Sequence, residues 1–301
     1  MTVLVTGASS GIGRATAHHL AERGHNLVLL ARSPAGLEAV ARECRAHGVR
    51  VLLTPADVSD RPALGGAFDA AVAEFGTVDA VVHCAAVLAY GRFEDVPPDV
   101  FDESVRVTLL GSANVARIAL GHFSARGGHG RLVVVGSLLG KVATPFMSSY
   151  VTAKWGLHGL VRTLQIEARS TPGVDISLVT PGGVNTPVYR QAGTYLRRHG
   201  RPPPPVDSPE KVAGVIASVL ARPRRDRGVG IANPLVVLGF RTLPGVFDRI
   251  VTPLMRIGGL GRESVPNGPG NVFEAEPGGE SLHGVWSGTM SLTTDEEQAK
   301  P

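Results

Sequence analysis

Residues 1–13 read Met1-Thr2-Val3-Leu4-Val5-Thr6-Gly7-Ala8-Ser9-Ser10-Gly11-Ile12-Gly13. The apolar run Val3–Val5 predicts a buried strand, and the residues from Ile12 to about Arg23 have helical spacing that ends at Gly24. The glycines between them let the backbone approach a pyrophosphate, and the helix start presents free N–H groups and a positive dipole end. Because this turn joins the first strand to the first helix, it indicates a dinucleotide phosphate site more strongly than a ligand-free tight turn.

The alternation of strand and helix continues along most of the chain. Further strands are predicted at 26–31, 50–55, 80–83, 131–135 and 175–180, and further helices at 34–47, 60–75, 99–125, 149–170 and after Ser208-Pro209. Strands separated by helices of about ten to twenty residues imply right-handed crossovers. The sequence therefore predicts an α/β fold, a doubly wound parallel sheet of the Rossmann type in three α/β/α layers.

The composition is that of a globular protein with a large core. The chain has 301 residues, of which 43% are apolar and 19% are charged, which excludes a disordered or fibrous chain. It has two cysteines and starts directly with an apolar segment, so we expect a reducing, cytoplasmic setting without a disulfide or signal peptide. No run of 18 apolar residues occurs, which argues against a transmembrane helix.

Three parts of the chain differ in composition. Residues 1–235 are expected to form one dinucleotide-binding and catalytic domain. Residues 236–261 are apolar with helical spacing in their second half, which predicts a lid or a subunit interface rather than a peripheral membrane contact. Residues 262–301 are polar and acidic, and we expect them to be extended or disordered.

Basic residues cluster at 197–201 and 222–227. Neither cluster has interleaved aromatic residues or a recognisable nucleic-acid module beside it. We interpret both as proline-broken surface loops, so nucleic acid is not an expected partner. No metal site is predicted.

The end of the second strand bears on the choice of cofactor. An NAD site typically has an acidic residue here for the ribose 2′-hydroxyl, whereas an arginine accommodates a 2′-phosphate. This chain has Arg32 and Ser33 at that place, and Arg14 adds positive charge nearby. The pattern favours NADP(H) over NAD(H), the alternative being that Arg32 is a solvated loop residue.

A second set of polar residues has the chemistry of proton transfer. Tyr150 and Lys154 are four residues apart at the start of a predicted helix and so share one face. A nearby ammonium favours the phenolate, which would bring the tyrosine pKa down toward the working range. Such a pair is often only two exposed side chains without a function. Here, however, Ser137 ends a predicted strand thirteen residues earlier, at the edge where open sheets bind ligands.

Taken together, these motifs resemble those of the short-chain dehydrogenase/reductase family over about residues 1–235. The resemblance rests on Thr6-Gly7-(x)3-Gly11-x-Gly13, Asp57-Val58, Ser137, Tyr150-(x)3-Lys154 and the segment Pro181–Thr186. It implies that Tyr150 is the general acid/base for hydride transfer, that Lys154 lowers its pKa and holds the nicotinamide ribose, and that Ser137 positions the substrate oxygen. It also implies cofactor contacts by Gly7, Ser9, Ser10, Gly11, Ile12, Gly13, Arg32, Ser33, Asp57, Val58, Ala85, Ala86, Tyr150, Lys154, Pro181, Gly182, Val184 and Thr186.

Two positions depart from the family pattern. His83-Cys84-Ala85-Ala86 replaces the usual Asn-Asn-Ala-Gly, and Cys84 is interpreted as a small buried residue rather than a nucleophile. Thr108 stands where the family usually has an asparagine that serves a proton relay through water. A hydroxyl has fewer hydrogen-bonding groups than an amide, so we expect a rewired or slower relay, with Thr108 a doubtful catalytic residue.

The resulting hypothesis is an NADP(H)-dependent oxidoreductase, such as a ketoreductase, that interconverts a carbonyl and a secondary alcohol. Apolar and aromatic residues in the expected pocket segments suggest a fairly apolar small-molecule substrate. The alternative is a dinucleotide-binding regulatory or scaffold protein with weak or lost catalysis. A serine hydrolase is disfavoured, because the residues around Ser137 lack the spacing of a nucleophile elbow. The resemblance also implies a homodimer or homotetramer, with Val105–Leu120 and Tyr150–Ser170 at the interface.

Overall fold

The computed structural model describes residues 1–286 and contains a seven-stranded parallel sheet. The strands in chain order are β1 (Thr2–Thr6), β2 (Asn26–Ala31), β3 (Val51–Pro55), β4 (Ala80–His83), β5 (Ala89–Tyr90), β6 (Gly130–Val135), β7 (Val174–Pro181), β8 (Gly183–Val184), β9 (Ala192–Thr194), β10 (Val206–Asp207), β11 (Asp226–Val229) and β12 (Gly268–Gly270). The large sheet has the order β11-β7-β6-β4-β1-β2-β3. The strand order reverses direction at β1, which confirms the predicted doubly wound α/β fold.

Helices cover both faces of this sheet. They are α1 (Gly11–Ala21), α2 (Pro34–Arg45), α3 (Arg61–Phe75), α4 (Pro98–Val105), α5 (Gly111–Ala125), α6 (Ser148–Glu167), α7 (Val188–Gln191), α8 (Pro209–Ala221), α9 (Asn233–Thr242) and α10 (Pro244–Gly258). Within residues 1–286, each helix is too short or too polar to cross a membrane.

The apolar core follows from the two-residue period of the strands. Val3 and Val5 of β1 belong to the cluster on one face of the sheet, and Leu4 belongs to the cluster on the other. All three side chains are fully buried. Strands that are covered on both faces appear as continuous apolar runs, which is why the sequence locates these strands well.

The structure corrects the sequence interpretation at two internal places. The helix predicted at 99–125 is α4 and α5, joined by a π-helical turn at Arg106–Leu110. The segment interpreted as a surface loop at 222–227 contains the start of edge strand β11, which pairs with β7. Asp226, Arg227 and Gly228 are exposed, so this edge strand lacks the apolar pattern of a buried one.

The C-terminal part has a different organisation. Helices α9 and α10 form a pair whose side chains are largely exposed, and Met255 is the one buried residue of α10. Residues 262–286 pack against the domain: β12 pairs with β9, and Val272 is fully buried. The rest of the predicted tail, 287–301, lies outside the described residues.

Candidate active site

The candidate site lies at the carboxyl ends of the parallel strands. Ser137 follows β6, and its backbone N–H donates to Nε2 of His158 at 3.3 Å. Glycines make room for this imidazole, since a Cβ atom at Gly136 or Gly140 would lie 2.5 or 2.4 Å from His158 Nε2. Burial, with Lys154 nearby, lowers the pKa of His158 to about 4, so the ring is neutral and accepts this bond. Helix α6 therefore holds the backbone of Ser137 through His158.

Helix α6 also brings Tyr150 to Ser137. The Ser137 hydroxyl lies beside the Tyr150 phenol and acts to lower its pKa, and Ser137 Oγ accepts from the backbone N–H of Leu139 at 3.1 Å. One turn later, Lys154 Nζ donates to the carbonyl oxygen of Val135 at 3.0 Å and lies 5.5 Å from the centre of the Tyr150 ring. The predicted trio is thus brought together by one strand end and one helix.

The protonation of Tyr150 and Lys154 differs from the sequence expectation. Burial raises the pKa of Tyr150 to about 12, and the neighbouring Ser137 side chain offsets this only in part. Burial lowers the pKa of Lys154 to about 8. The ammonium is directed at Val135 and not at the phenol oxygen, so in this structure Tyr150 is a protonated phenol. It is suited to donating a proton to a substrate oxygen.

Thr108 lies in the π-helical turn and is fully buried. Its hydroxyl donates to the carbonyl oxygen of Val87 at 2.9 Å and accepts from the N–H of Val87 at 3.0 Å. Both roles of the hydroxyl are taken by one backbone position, so the contact fixes the loop after β4. The hydroxyl has no proton free for a relay.

A buried hydrogen-bond chain centred on His83 was not anticipated from the sequence. The Ser112 hydroxyl donates to the Thr108 carbonyl at 2.7 Å, so it accepts from Nε2–H of His83, also at 2.7 Å. Burial lowers the pKa of His83 to about 3, so the ring is neutral and its Nδ1 accepts from the Thr6 hydroxyl at 2.7 Å. Thr6 Oγ1 in turn accepts from the N–H groups of Cys84 and Ala85 at 3.2 and 3.3 Å. The departure from the family pattern at His83 thus joins the glycine-rich turn to α5.

The glycine-rich turn has the close backbone contacts that a dinucleotide site requires. Gly7 has φ +65°, and a Cβ there would lie 2.8 Å from the backbone nitrogen of Ala85. A Cβ at Gly13 would lie 2.0 Å from the Gly7 carbonyl oxygen. The residues present therefore fit a dinucleotide, because side chains are excluded where the backbone and the start of α1 would face its phosphates.

The remaining predicted cofactor residues lie at the same sheet edge. They follow β1 (Ser9, Ser10, Ile12), β2 (Ser33), β3 (Asp57, Val58) and β4 (Ala85, Ala86), or end and follow β7 (Pro181, Gly182, Val184, Thr186). Ser33 caps α2 by accepting from the N–H of Gly36 at 3.1 Å. Thr186 meets the turn itself, since a Cβ at Gly11 would lie 3.0 Å from its Cγ2.

Residues 271–284, which we call the strap, lie across this sheet edge. Arg32 donates through Nη1 to the Val272 carbonyl at 3.2 Å and through Nη2 to the Asn271 carbonyl at 2.6 Å. The N–H of Gly11 donates to the Ser281 carbonyl at 2.9 Å. Arg32 is therefore not a solvated loop residue. No periodicity or motif in the sequence pointed to these contacts, because the strap acts largely through its backbone.

Apolar side chains surround Tyr150. They form a third cluster at the sheet edge: Leu88, Tyr90, Met147, Ala192, Met255 and Leu260, with Leu139, Phe146, Val151, Val188, Tyr189, Leu196 and Val251 packed against it. Burial raises the pKa of Cys84 to about 12, so this thiol is not a nucleophile. Within residues 1–286, no group of three or more His, Cys, Asp or Glu residues is placed to hold a metal ion.

Comparisons with known proteins agree with this geometry. The family model for short chain dehydrogenases matches residues 1–195. The chain is 31% identical over 257 residues to the uncharacterized oxidoreductase YxnA of Bacillus subtilis (strain 168), an alignment that covers 84% of this chain and 72% of YxnA. It is 34% identical to cis-4-hydroxycyclohexanecarboxylate dehydrogenase of Sinomonas cyclohexanicum, over 71% of this chain and 86% of that protein.

Solved structures show the same relationship. An alcohol dehydrogenase from the archaeon Thermococcus sibiricus, complexed with 5-hydroxy-NADP, superposes with a TM-score of 0.65 at 31% identity, covering 76% of this chain and 94% of that one. A 3-ketoacyl-ACP reductase from Sinorhizobium meliloti 1021 superposes with a TM-score of 0.68 at 26% identity, covering 78% of this chain and all of that one. The chain thus belongs to the short chain dehydrogenase family and is an oxidoreductase that acts on alcohol or carbonyl groups.

Proposed function

We propose that this protein is an NADP(H)-dependent oxidoreductase that interconverts a carbonyl and a secondary alcohol on a fairly apolar small molecule. The placement of the Ser137 side chain beside Tyr150, whose ring packs in an apolar cluster, carries the proposal. A bound nicotinamide would supply or accept the hydride, and the protein would supply orientation and the proton.

The roles of the three polar side chains follow from their contacts. Ser137 Oγ accepts from the N–H of Leu139, which leaves its own proton for the phenol or for a substrate oxygen. Tyr150 holds its proton at neutral pH and would deliver it to a carbonyl oxygen, or take it from an alcohol in the reverse direction. Lys154 would stay charged near neutral pH, because its pKa of about 8 lies above 7.

Arg32 supports the choice of NADP(H). A guanidinium at the end of β2 suits a 2′-phosphate, and the N-terminal end of α2 at Ser33 and Pro34 favours negative charge. Arg32→Ala should raise the ratio of the KM for NADPH to the KM for NADH by about tenfold or more, because a lost charge-assisted contact is worth about 1.5–3 kcal/mol. Equal effects on the two cofactors would contradict this assignment.

The extension after residue 235 is proposed to close the pocket. Val251 and Met255 of α10 pack in the cluster around Tyr150, while Ile250, Leu254 and Ile257 are exposed. The inner face of α10 would therefore shape the substrate site as a lid. This supports an apolar substrate and leaves α5 and α6 for subunit contacts.

A homodimer or homotetramer is part of the proposal. Three large apolar side chains are exposed on or beside the helices α5 and α6, at Leu110, Trp155 and Ile166. The free thiols Cys44 and Cys84 suit a reducing compartment such as the cytoplasm. Light scattering of Ile166→Glu would test the interface, since a smaller mass than that of the parent protein is expected.

The decisive experiment is an assay of a carbonyl panel, acyclic ketones to flat polycyclic ketones, with NADPH and NADH separately. Turnover with apolar ketones, faster with NADPH at matched subsaturating concentrations, is the expected result. Dinucleotide binding without any turnover on the panel would favour the alternative, a regulatory or scaffold protein. One observation favours this alternative: the Thr108 hydroxyl already donates to and accepts from the backbone of Val87, so its proton is not free for a relay.

A further inference from the structure

The strap makes contacts where the groups of a dinucleotide are expected. Its two carbonyl oxygens at residues 271 and 272 accept from Arg32, the side chain to which the proposed function assigns the 2′-phosphate. Its carbonyl oxygen at Ser281 accepts from the N–H of Gly11, the first residue of α1. Backbone N–H groups at that helix start are the donors expected to face the pyrophosphate.

The strap also has a buried apolar side chain, at the Arg32 end of the cleft. Val272 is fully buried and belongs to the core cluster that contains Val58, with Ala85 packed against it. Val58 and Ala85 are residues that the family resemblance assigns to the cofactor. The strap is thus held by a buried apolar side chain as well as by its backbone.

Glu280 of the strap supplies negative charge beside the glycine-rich turn. A Cβ at Gly36, in the first turn of α2, would lie 2.0 Å from Glu280 Oε2 and 2.9 Å from Ser9 Cβ, so the carboxylate lies between α2 and the glycine-rich turn. Its Oε2 atom is buried and has no hydrogen-bond partner among the described residues. A buried carboxylate oxygen without a donor is costly, so this contact favours release of the strap once a competitor is available.

The strap is also anchored to the segment that follows β8. The N–H of Gly284 donates to the Asn185 carbonyl at 3.2 Å, and Asn271 N–H donates to the Gln191 carbonyl at 2.8 Å. His283 pairs with Glu210 of α8 at 2.5 Å. The strap therefore spans the cleft from the end of β2 to the segment after β7, the full width over which the predicted cofactor residues lie.

We propose that the strap is an intramolecular competitor of the dinucleotide: it occupies the cofactor cleft, and NADP(H) binds by displacing it. The inference rests on the proposed function, because it needs a dinucleotide to bind at these residues. The single N–H of Gly11 cannot donate to the strap and to a phosphate at once, and the two Arg32 N–H groups that hold the strap carbonyls become available to a phosphate only when the strap leaves. The apparent affinity for any dinucleotide is therefore reduced by the fraction of molecules in which the strap is displaced.

This competition has a quantitative signature. Weakening the strap tightens NADP⁺ and NAD⁺ by the same factor, because both must displace it, whereas Arg32 sets the ratio between them. A lid that closed over the cofactor would behave in the opposite way, since weakening it would loosen both dinucleotides.

The test uses the full chain, with calorimetric titrations of NADP⁺ and NAD⁺ in the absence of substrate. Val272→Ala removes buried apolar area from the strap, and we expect about tenfold tighter binding of both dinucleotides. Val285→Ala is the matched control, because Val285 is 59% exposed just beyond the strap, and it should leave both affinities unchanged. Unchanged or weaker binding by Val272→Ala would overturn the inference.

Hydrogen exchange of the parent protein provides a second readout that needs no variant. Saturating NADP⁺ should speed the exchange of the amides of Asn271 and Gly284, because their bonds to Gln191 and Asn185 open. Slower or unchanged exchange in 271–284 with NADP⁺ bound would contradict the displacement of the strap but not the proposed function. Failure of every variant to bind either dinucleotide would contradict the proposed function, and the inference with it.

Discussion

Helices α1 and α10 are both amphipathic, yet they are used in opposite ways. Seven of the eleven residues of α1 are buried, whereas Met255 is the one buried residue among the fifteen of α10. Helix α1 connects two strands of the parallel sheet and packs on α8 and α2, whereas α10 follows the last strand of that sheet. Burial in this protein therefore comes from the βαβ connection, and the C-terminal part attaches through a few specific contacts.

The difference separates the residues into two groups with different expected roles. Residues up to β11 hold most of the core and the candidate chemistry, whereas the part from α9 onward is attached through a few buried side chains, among them Met255 and Val272. Each of the following changes tests that division.

The largest effect is expected on kcat, from removal of one oxygen atom in the part of the chain up to β11. Tyr150→Phe removes the proton donor and should lower kcat by about 10³-fold or more, since general acid catalysis contributes about 10²–10⁴-fold. Dinucleotide binding, measured by fluorescence titration, should be almost unchanged. Tyr195→Phe is the control, because Tyr195 lies outside the cluster around Tyr150. Full activity of Tyr150→Phe would reject the assignment.

The next effect concerns stability. Thr108→Val leaves the buried N–H and carbonyl of Val87 without their side-chain partner, and should lower the free energy of unfolding by about 2–4 kcal/mol in urea titrations. Thr163→Val is the matched control, because its hydroxyl donates to the Gly159 carbonyl on an exposed helix face and should cost under about 1 kcal/mol. Similar losses in both variants would show that the contact with Val87 is unimportant. A selective loss of kcat with unchanged stability would instead restore a relay role for Thr108.

The loss of folding stability at low pH should also originate in the part of the chain up to β11. The unfolded chain binds a proton on His158 near its ordinary pKa of 6.5, and the folded chain does so only near pH 4. The unfolded state thus holds more protons in this window, so stability falls as the pH drops from 6.5 toward 4. His83, with a pKa of about 3, extends the same loss to lower pH.

His158→Gln should flatten this pH dependence by about 1–2 kcal/mol between pH 6.5 and 4.5, measured as the free energy of unfolding at each pH. His129→Gln serves as the control, because His129 is exposed. Identical slopes for all three proteins would mean that the buried histidine does not govern acid unfolding. The variant should also reduce kcat, because Ser137 loses the bond that holds its backbone.

The smallest effect is expected on the outer face of α10. Leu254 is 61% exposed, so Leu254→Gln should change the free energy of unfolding by less than about 0.5 kcal/mol. Met255→Ala, one residue along, should cost about 2 kcal/mol because its side chain is buried in the cluster around Tyr150. Thermal unfolding of the two variants makes the comparison. A large loss for Leu254→Gln would reveal a second packed face on this helix.

The agreement between sequence and structure follows the range of the interactions involved. The strands of the central sheet carry continuous apolar runs, and the helices between them have regular spacing, so local patterns located most elements. Gly7, Gly11 and Gly13 are close in sequence, as are Tyr150 and Lys154, so their joint placement was also predictable. Edge strand β11 was missed because three of its four residues are exposed.

Charge states were harder to predict than positions. The spacing of Tyr150 and Lys154 suggested a lowered tyrosine pKa, but burial raises it to about 12 and the ammonium is directed at Val135. The balance between desolvation and a neighbouring charge depends on depth and on direction, neither of which spacing encodes. The roles of Thr108 and His83 depend in the same way on partners from other elements, at Val87, Thr6 and Ser112.

The sequence by itself therefore determined the doubly wound fold, the glycine-rich turn and the positions of Ser137, Tyr150 and Lys154, because each follows from periodicity or spacing within a short stretch. Only the tertiary structure decided that Tyr150 is a protonated phenol, that Thr108 holds Val87, and that the strap lies on Arg32 and Gly11. Arg32 and Val272 are 240 residues apart, and the contact uses a backbone carbonyl that every residue type has. Such a contact leaves no mark in composition or pattern, so folding alone brings it about.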